Sequence, residues 1–439
     1  MSSTYTRTEG TFLPGYLPQS NVFGQDFTYD APGLGFLLGS QADLREKAIA
    51  NGWLSKNTLQ NQLYSRTFNE DLRLKAMVEP IRDLRIQLSS FKSQNRNYQT
   101  NYKYSDVTGG FENMAAITAG DYSVSFLSLA TAFSSPSGIE NTSSTFLKFL
   151  ENRAAVSKRL GTENPNSTGT NGSGYADGFG PNAQNVLVPA FLAAVTGKDP
   201  SGASLNQFPA IPIPNWQITY GGLSRVPFMQ EVFDSFDLRH GYQSTYTISG
   251  YSSLLQYKEI GGHAVSRDVN NDFLPRYQFS QITIYEQFVP LLGADMRFRN
   301  NVTANFEYRQ SRILSLSMAN SQLTQQNEKV VQFGMGYKTR NFRFPFGLFP
   351  NTILKNDLNF KVDFALRDNK TLIYRADVQA AQISSGAQNI TYRPSIDYSI
   401  SQRFNMTLFY DSNLTRPYTS QSFNTSFTNF GVNLKLLLQ

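Results

Sequence analysis

Two histidines, His240 and His263, are the side chains best suited to metal binding or proton transfer in a chain of 439 residues that contains no cysteine. They lie in separate stretches, and neither has an acidic partner at a spacing that metal sites use. The lack of cysteine excludes disulfides and thiolate ligands. His240 falls among alternating apolar residues, which predicts a strand residue with a hydrogen-bonded ring. We therefore predict no metal site.

Other patterns that enzymes use are also weak. The run Gly172–Gly180 contains loosely spaced glycines, but no predicted strand leads into it and no helix follows directly, so we predict a flexible loop. No G-x-S-x-G elbow or Ser/His/Asp arrangement has the context of a nucleophilic serine. The neighbouring carboxylates Glu70 and Asp71 are interpreted as turn residues. We predict no catalytic residue, no cofactor and no enzymatic activity.

Basic side chains recur on the polar side of predicted strands, and we interpret them as lining a solvated lumen or an exposed rim. They are Arg239, Arg309, Lys361, Arg375 and Arg393. Trp216, in a Pro-Asn-Trp run, is interpreted either as a membrane-interface anchor or as an interior packing residue. The formal net charge of +6 is too dilute over this length to indicate nucleic-acid binding.

The elements that must position these side chains show an alternation of apolar and polar residues. From Leu358 onward, apolar residues recur at every second position, which places one strand face in an apolar medium. The pattern predicts five strands in an up-and-down antiparallel meander, joined by polar turns at Arg367–Lys370 and Ser401–Arg403. The last of them, here called the closing strand, carries Phe430, Val432, Leu434, Leu436 and Leu438.

Composition indicates what medium faces the apolar side. Aromatic residues make up 13% of the chain and charged residues 16%, below the roughly 25% of an ordinary soluble domain. The mean hydropathy is −0.36, which excludes a helical membrane protein. We predict an all-β-dominated fold, a segment of an up-and-down antiparallel transmembrane β-barrel with about a dozen strands and a few short helices in insertions.

The chain divides into four predicted segments. The N-terminal segment contains one helix, for which Ser40 is the predicted cap and Gly52 the end. The insertion contains two helices, Thr145–Leu160 and Val186–Thr196. The segments are an extended N-terminal part with a helix at about 41–52 (residues 1–67), a long β-hairpin (68–104), a helix-containing insertion or cap (105–212) and antiparallel barrel strands (213–439).

The opening residues lack the basic, apolar and small-residue regions of an export signal. Because an outer-membrane protein requires such a signal, either the membrane interpretation is wrong or this chain is the C-terminal part of a longer polypeptide, whose upstream part would be one of its partners.

Specific runs of the amino-acid sequence add to these patterns. Several runs, in order, resemble the C-terminal part of the SprA/Sov family, the outer-membrane translocons of the type IX secretion system of Bacteroidota. The runs are APGLGFLLGSQADLREKAIANGWLS (31–55), VLVPAFLAAVTG (186–197), IPIPNWQITYGGLSRVPF (211–228), FDLRHGYQSTYTI (236–248), FVPLLGADMRF (288–298) and TSQSFNTSFTNFGVNLKLLLQ (419–439).

The resemblance implies a location in the outer membrane and a very wide pore that exports folded cargo proteins, linked to gliding motility in some members. It also implies a PorV-like shuttle protein at a lateral opening and a plug protein on the periplasmic side. The family-motif residues that it marks, with a motif or structural role, are Pro214, Asn215, Trp216, His240, Gly241, Tyr242, Pro290 and Gly293.

Three classes of function compete. An outer-membrane translocon explains the strands, the low charge, the aromatic content and the ordered runs. A porin or a TonB-dependent type importer shares the composition but not the runs. A secreted β-sandwich adhesin requires a second sheet over the apolar face, and recovery without detergent would favour it.

Overall fold

The computed structural model of the protein describes residues 1–134, 136, 141–343, 353–376 and 378–437. Its main element is a 13-stranded antiparallel sheet. In chain order, the strands are β1 (Ser2–Phe12), β2 (Tyr64–Val78), β3 (Leu84–Ser105), β4 (Gly110–Ser125), β5 (Asn215–Tyr220), β6 (Phe233–Ser253), β7 (Glu259–Ile260), β8 (His263–Ala264), β9 (Tyr277–Phe298), β10 (Val302–Ser317), β11 (Gln322–Thr339), β12 (Phe342–Arg343), β13 (Ile353–Leu354), β14 (Leu358–Arg375), β15 (Val378–Ser399), β16 (Phe404–Pro417) and β17 (Thr425–Leu436).

The sheet follows the chain almost without crossovers. Its order is β1-β2-β3-β4-β6-β9-β10-β11-β14-β15-β16-β17, and β5 pairs with both β3 and β6. The two remaining strand pairs, β7 with β8 and β12 with β13, form separate two-stranded hairpins. The predicted mostly-β, up-and-down antiparallel fold of about a dozen strands with a few short helices is therefore confirmed.

The strands are longer than the sequence patterns indicated. The predicted turn at Arg367–Lys370 is wrong, because β14 continues through it to Arg375. These polar residues pair on both sides; for example, Asp368 lies opposite Lys329 of β11 and Gln388 of β15. A polar run inside a strand resembles a turn in sequence, but ladder pairing keeps it extended. The region after Leu358 therefore holds four long strands in place of five.

Glu70 and Asp71 are also strand residues, in the middle of β2, and the turn interpretation is wrong. The Glu70 carboxylate lies 3.3 Å from Lys92 Nζ on β3, and that of Asp71 lies 2.7 Å from Arg73 Nε. The strands β2 and β3 pair as a long hairpin, with residues 79–83 between them.

The helices are short and lie outside the sheet. They are α1 (Leu34–Leu37), α2 (Arg45–Ala50), α3 (Ser144–Glu163), α4 (Gln184–Thr196) and α5 (Pro227–Val232), with single 3₁₀ turns at Val22–Gly24, Leu129–Thr131 and Gly222–Arg225. The helix expected at about 41–52 is only α2, and Ser40 does not cap it. Asp43 instead binds the Arg45 guanidinium, and Gly52, at φ 67°, follows its end.

The helices α3 and α4 form the centre of an insertion that here comprises residues 126–214. Ser143 caps α3 by accepting from the Phe146 amide, and α3 continues through Gly161. Gly197, at φ 67°, ends α4. Residues 186–195 of α4 are all buried, because α3 and the sheet enclose this helix. The first part of the predicted 105–212 insertion is a strand, β4.

Candidate functional site

The sheet has one apolar face and one polar face, and this difference is maintained across successive strands. The registers of β10, β11 and β14 are continuous, so alternate residues keep to one face. One hydrogen-bonded row reads Val302, Tyr337, Phe360, Ile396, Leu408 and Val432. A neighbouring row on the opposite face reads Asn305, Gly334, Asp363, Arg393, Asp411 and Asn429. We call these the belt face and the polar face.

The belt face carries a continuous band of apolar side chains, some exposed and others half-buried, which we call the apolar belt. Among its exposed members are Leu74, Leu292, Phe333, Met335, Tyr337, Tyr392, Leu408, Tyr410, Phe430, Val432, Leu434 and Leu436. In β14, the apolar residues of this face extend from Leu358, which is buried, to Leu366, roughly 26 Å at about 3.3 Å per step. A strand tilt of about 40° reduces this height to roughly 20 Å, somewhat less than the apolar band of about 25 Å in outer-membrane barrels.

Beyond the belt, toward the insertion, the same face becomes charged and then apolar again. Lys329 and Asp368 first interrupt it with charge. Beyond them it becomes apolar again, at Leu314, Leu316, Leu323, Leu372 and Tyr374, where α3 and α4 of the insertion cover it. The insertion therefore packs on the belt face, next to the belt, and leaves the polar face open.

The polar face holds the basic residues that the sequence singled out. Four of them are paired with carboxylates on the same face: Arg239 with Asp295 at 2.6 Å, Arg309 with Glu307 at 2.5 Å, Lys361 with Asp397 at 3.1 Å and Arg393 with Asp411 at 3.0 Å. Arg375 is the last residue of β14. Positive and negative charges thus alternate across this face, so no single sign dominates it.

One strand of the sheet is interrupted. Both β4 and β5 run antiparallel to β3, and β5 begins opposite Ser89 close to where β4 ends opposite Lys92. The insertion leaves at Ser125 and returns at Asn215, and the Ile213 amide donates to the Ser125 carbonyl at 3.0 Å. Asn215 fills the break, because its side-chain oxygen accepts from the Ser244 amide at 2.8 Å.

Family-motif residues meet at this break. The rings of Trp216 and Tyr242 stack with centroids 4.5 Å apart, directly after Pro214 and Asn215. His240 Nδ1 lies 2.7 Å from the Leu291 carbonyl oxygen, in agreement with the predicted hydrogen-bonded ring. Trp216 faces the belt side and packs against the core, in agreement with the packing interpretation, whereas the interface-anchor interpretation stays a prediction.

Two glycines of the motif allow the chains to approach closely. A Cβ on Gly241 would lie 2.6 Å from the Val289 carbonyl oxygen, and one on Gly293 would lie 2.8 Å from Pro290 Cγ. The peptide bond before Pro290 is cis. The register between β6 and β9 shifts here, and these residues therefore have a backbone packing role.

A buried ion pair lies beside the motif residues, and sequence analysis missed it. Glu286 of β9 and Arg312 of β10 face each other at 2.8 Å, both almost completely buried. The Arg312 guanidinium also donates to the Thr131 carbonyl at 2.6 Å, and Ser128 Oγ and the Tyr242 hydroxyl donate to Glu286 Oε1. The ion pair thereby attaches the insertion to the sheet. The sequence pattern that could have indicated this ion pair is one acidic and one basic residue on otherwise apolar strand faces.

A second contact holds the far end of the insertion. Arg267, in the long connection between β6 and β9, binds Asp177 of the insertion at 2.6 Å and lies over the Phe273 ring. The Arg267 guanidinium holds the pKa of Asp177 down at about 2. Gly180 donates from its amide to Asp272 at 2.6 Å. The predicted glycine-rich loop therefore has a structural role: it attaches the insertion to the connection between β6 and β9.

The closing strand, β17, lies at one edge of the sheet, and β1 lies at the other. Phe430, Val432, Leu434 and Leu436 point to the belt face and are exposed, whereas Leu438 lies outside the described residues. Within the described chain, β1 and β17 do not pair with each other. The sheet therefore does not close on itself there.

Comparisons with known proteins give little further information. No family model matches the chain, and no curated protein matches it. Among solved structures, it is similar to the copper transporter OprC, with a TM-score of 0.20 and 9% sequence identity over 84% of this chain. The chain spans 56% of the length of that protein. A TM-score this low carries no argument about function.

Within the described part of the chain, no group of His, Asp and Glu side chains is arranged to hold a metal. His240 and His263 lie on different elements, β6 and β8. No helix among the described residues is long and apolar enough to cross a bilayer. The candidate functional features are thus the two faces of the sheet and the junction between the sheet and its insertion.

Proposed function

We propose that this chain forms part of the wall of an outer-membrane β-barrel, with the belt face toward lipid and the polar face toward an aqueous lumen. The observation that carries the proposal is the pair of continuous rows, one apolar and exposed or half-buried along its length, the other polar and charge-paired. In water, so large an exposed apolar surface would favour aggregation. In a bilayer, it satisfies the requirement for an apolar exterior.

The sheet edges support a barrel larger than this sheet. Unpaired backbone groups at β1 and β17 would each cost several kcal/mol in hydrocarbon. Further strands, supplied by an upstream part of the same polypeptide, would pair with these edges and close the wall.

The connections support an orientation. Apart from the insertion itself, the two longest connections between strands of the sheet, residues 13–63 and 254–276, lie at the end that carries the insertion. At the other end, 299–301 and 400–403 are short turns, and 221–232 and 340–357 are of intermediate length. Outer-membrane barrels have long extracellular loops and short periplasmic turns. We therefore place the insertion on the outside of the cell.

More specifically, we propose that the wall belongs to a protein-conducting translocon of the type IX secretion system. The resemblance of the ordered sequence runs to the SprA/Sov family supports this step, and the charge-paired polar face suits a pore that must not retain its cargo. Secreted cargo proteins, a PorV-like shuttle and a periplasmic plug are the partners that belong to the proposal.

Site-specific photo-crosslinking tests the proposal in cells that secrete cargo. The adjacent residues Gln332 and Phe333 lie on the polar and belt faces, respectively, so they form a matched pair. A crosslinker at Gln332 should capture cargo, whereas one at Phe333 should capture lipid. Small-solute conductance without cargo adducts would favour a porin or importer. Recovery of the full-length protein without detergent would favour the adhesin.

A further inference from the structure

The insertion joins the wall at the upper edge of the apolar belt. Its exit follows Ser125, and its return ends at Asn215, next to Trp216 at the top of the belt in β5. Phe133 of the exit segment stacks on Phe288, with ring centroids 5.2 Å apart. Two residues further along the same face of β9, Pro290 leads into the belt. Both ends of the insertion are therefore fixed at the height where the belt stops.

These two ends carry most of the exposed apolar surface of the insertion. Phe133 is 59% exposed and Ile211 is 78% exposed, and Leu129 and Ile213 are also exposed. Among the described residues 126–214, the other large apolar side chain that is exposed is Leu147, at the start of α3. We call residues 127–133 and 209–214 the base of the insertion.

The base is held in shape by the wall behind it. The Tyr122 hydroxyl donates to the Pro209 carbonyl, and the Tyr246 hydroxyl donates to the Gln207 carbonyl at 2.9 Å. Thr131 carries the contacts from Arg312. An apolar surface that is both exposed and held rigidly by buried polar contacts indicates a binding surface rather than a loose loop.

Positive charge lies on the same face. Lys329 is exposed directly above Val331 of the belt, and Lys370 lies one step further up, on β14. Both line a cleft of about 130 Å³ between the wall and the insertion, together with Ala132. Asp368 is the carboxylate between them and accepts from the Tyr418 hydroxyl. Glu328 also lines the cleft, but its carboxylate is paired with Arg367 at 3.1 Å. The two ammonium groups therefore face one further carboxylate, a balance that suits anionic headgroups.

We propose that the base of the insertion inserts into the headgroup region of the bilayer, with Ile211 and Phe133 at the boundary of the acyl chains and the two lysines beside lipid phosphates. The proposal rests on the membrane function proposed above. The partner is lipid because the base continues the belt on the same face of the same strands. Elements that lie in this interface bury their apolar side about 5–10 Å deep.

Fluorescence quenching in reconstituted vesicles tests the proposal. Since this chain contains no cysteine, single cysteines can be introduced and labelled with an environment-sensitive fluorophore. The full-length protein would carry Ile211→Cys or Phe133→Cys at the base, Met335→Cys in the belt, or Val107→Cys in the distant β3–β4 turn, where Val107 is 96% exposed. Vesicles of phosphatidylethanolamine and phosphatidylglycerol would contain spin labels at shallow or deep acyl positions.

We expect the shallow spin label to quench positions 211 and 133 at least about twofold more strongly than position 107, and the deep label to act most strongly on position 335. Quenching at 335 but not at 211 or 133 would overturn the proposal and leave the membrane wall intact. Absence of quenching at 335 would overturn the proposed function itself. A fluorophore at 211 that is shielded from water but unaffected by lipid labels would assign the base to a protein partner, against the proposal.

Discussion

The guanidinium of Arg312 lies 2.8 Å from the carboxylate of Glu286, on neighbouring strands and almost without access to solvent. Removing one partner of a buried pair leaves the other charge uncompensated. We expect Arg312→Ala to lower the free energy of unfolding by about 3–5 kcal/mol and to expose the insertion to protease. Detergent-solubilised protein can be assayed by denaturant titration.

The matched control for this prediction is Arg393→Ala, which breaks an exposed pair and should cost at most about 1 kcal/mol. Replacing both Glu286 and Arg312 by Met should recover most of the loss, because apolar residues of similar size can substitute for a buried pair. Equal losses in the Arg312 and Arg393 variants would contradict the docking role.

The contact between Asp177 and Arg267 predicts a response to acid. The pKa of Asp177, about 2 in the folded protein, lies below the ordinary value of about 3.9, so the contact stabilises the fold above pH 4 and is lost as the pH falls through 2. Pepsin should therefore cleave the 166–181 loop much faster at pH 2 than at pH 4. Asp177→Asn should allow cleavage at both values, and a variant as protected as the parent at pH 4 would exclude this role.

The two faces predict opposite responses to one added charge. Leu408 lies on the belt face, and its neighbour Thr407 lies on the polar face, where it donates to Asp397. Leu408→Arg should destabilise the barrel by about 2–4 kcal/mol near the midplane, whereas Thr407→Arg should be tolerated. The fraction that migrates as folded barrel in unheated gel electrophoresis measures both effects. Similar fractions for the two variants would remove the basis for assigning lipid to the belt face.

Gly241 is predicted to be intolerant of any side chain, because a Cβ there would lie 2.6 Å from a backbone oxygen. We expect Gly241→Ala to cost about 1–3 kcal/mol, as overpacking does. Gly110→Ala is the control, since nothing lies within 4 Å of a Cβ at that strand position. The midpoints of denaturant unfolding can be compared directly. A midpoint for Gly241→Ala equal to that of the control would show that the strands can separate at this point.

Alternation alone was enough to predict the sheet, because one face of every strand has a uniform environment over much of its length. The row from Val302 to Val432 illustrates this, since its members are apolar on strands far apart in sequence. Strand ends were harder to predict. The polar residues Arg367–Lys370 lie within β14 because their neighbours pair with them, and no local pattern records that pairing.

The candidate site was predicted only in part. Trp216, His240 and Tyr242 belong to recognisable runs, but their meeting point depends on the break between β4 and β5, which involves residues far apart in the chain. Glu286 and Arg312 are polar at positions where a strand facing apolar residues would normally be apolar. Only the covering insertion, with Ser128 and Thr131, explains them.

The break between Ser125 and Asn215 has a consequence for the order in which the wall forms. Residues 215–220 complete a strand whose first half, β4, has been synthesised much earlier, and they can join it only after the intervening residues have brought their two ends together. Closing so long a loop is entropically unfavourable until the loop has compacted. Compaction of the insertion by α3 and α4 reduces this entropic cost, so we expect this strand to be completed more readily once the two helices have folded.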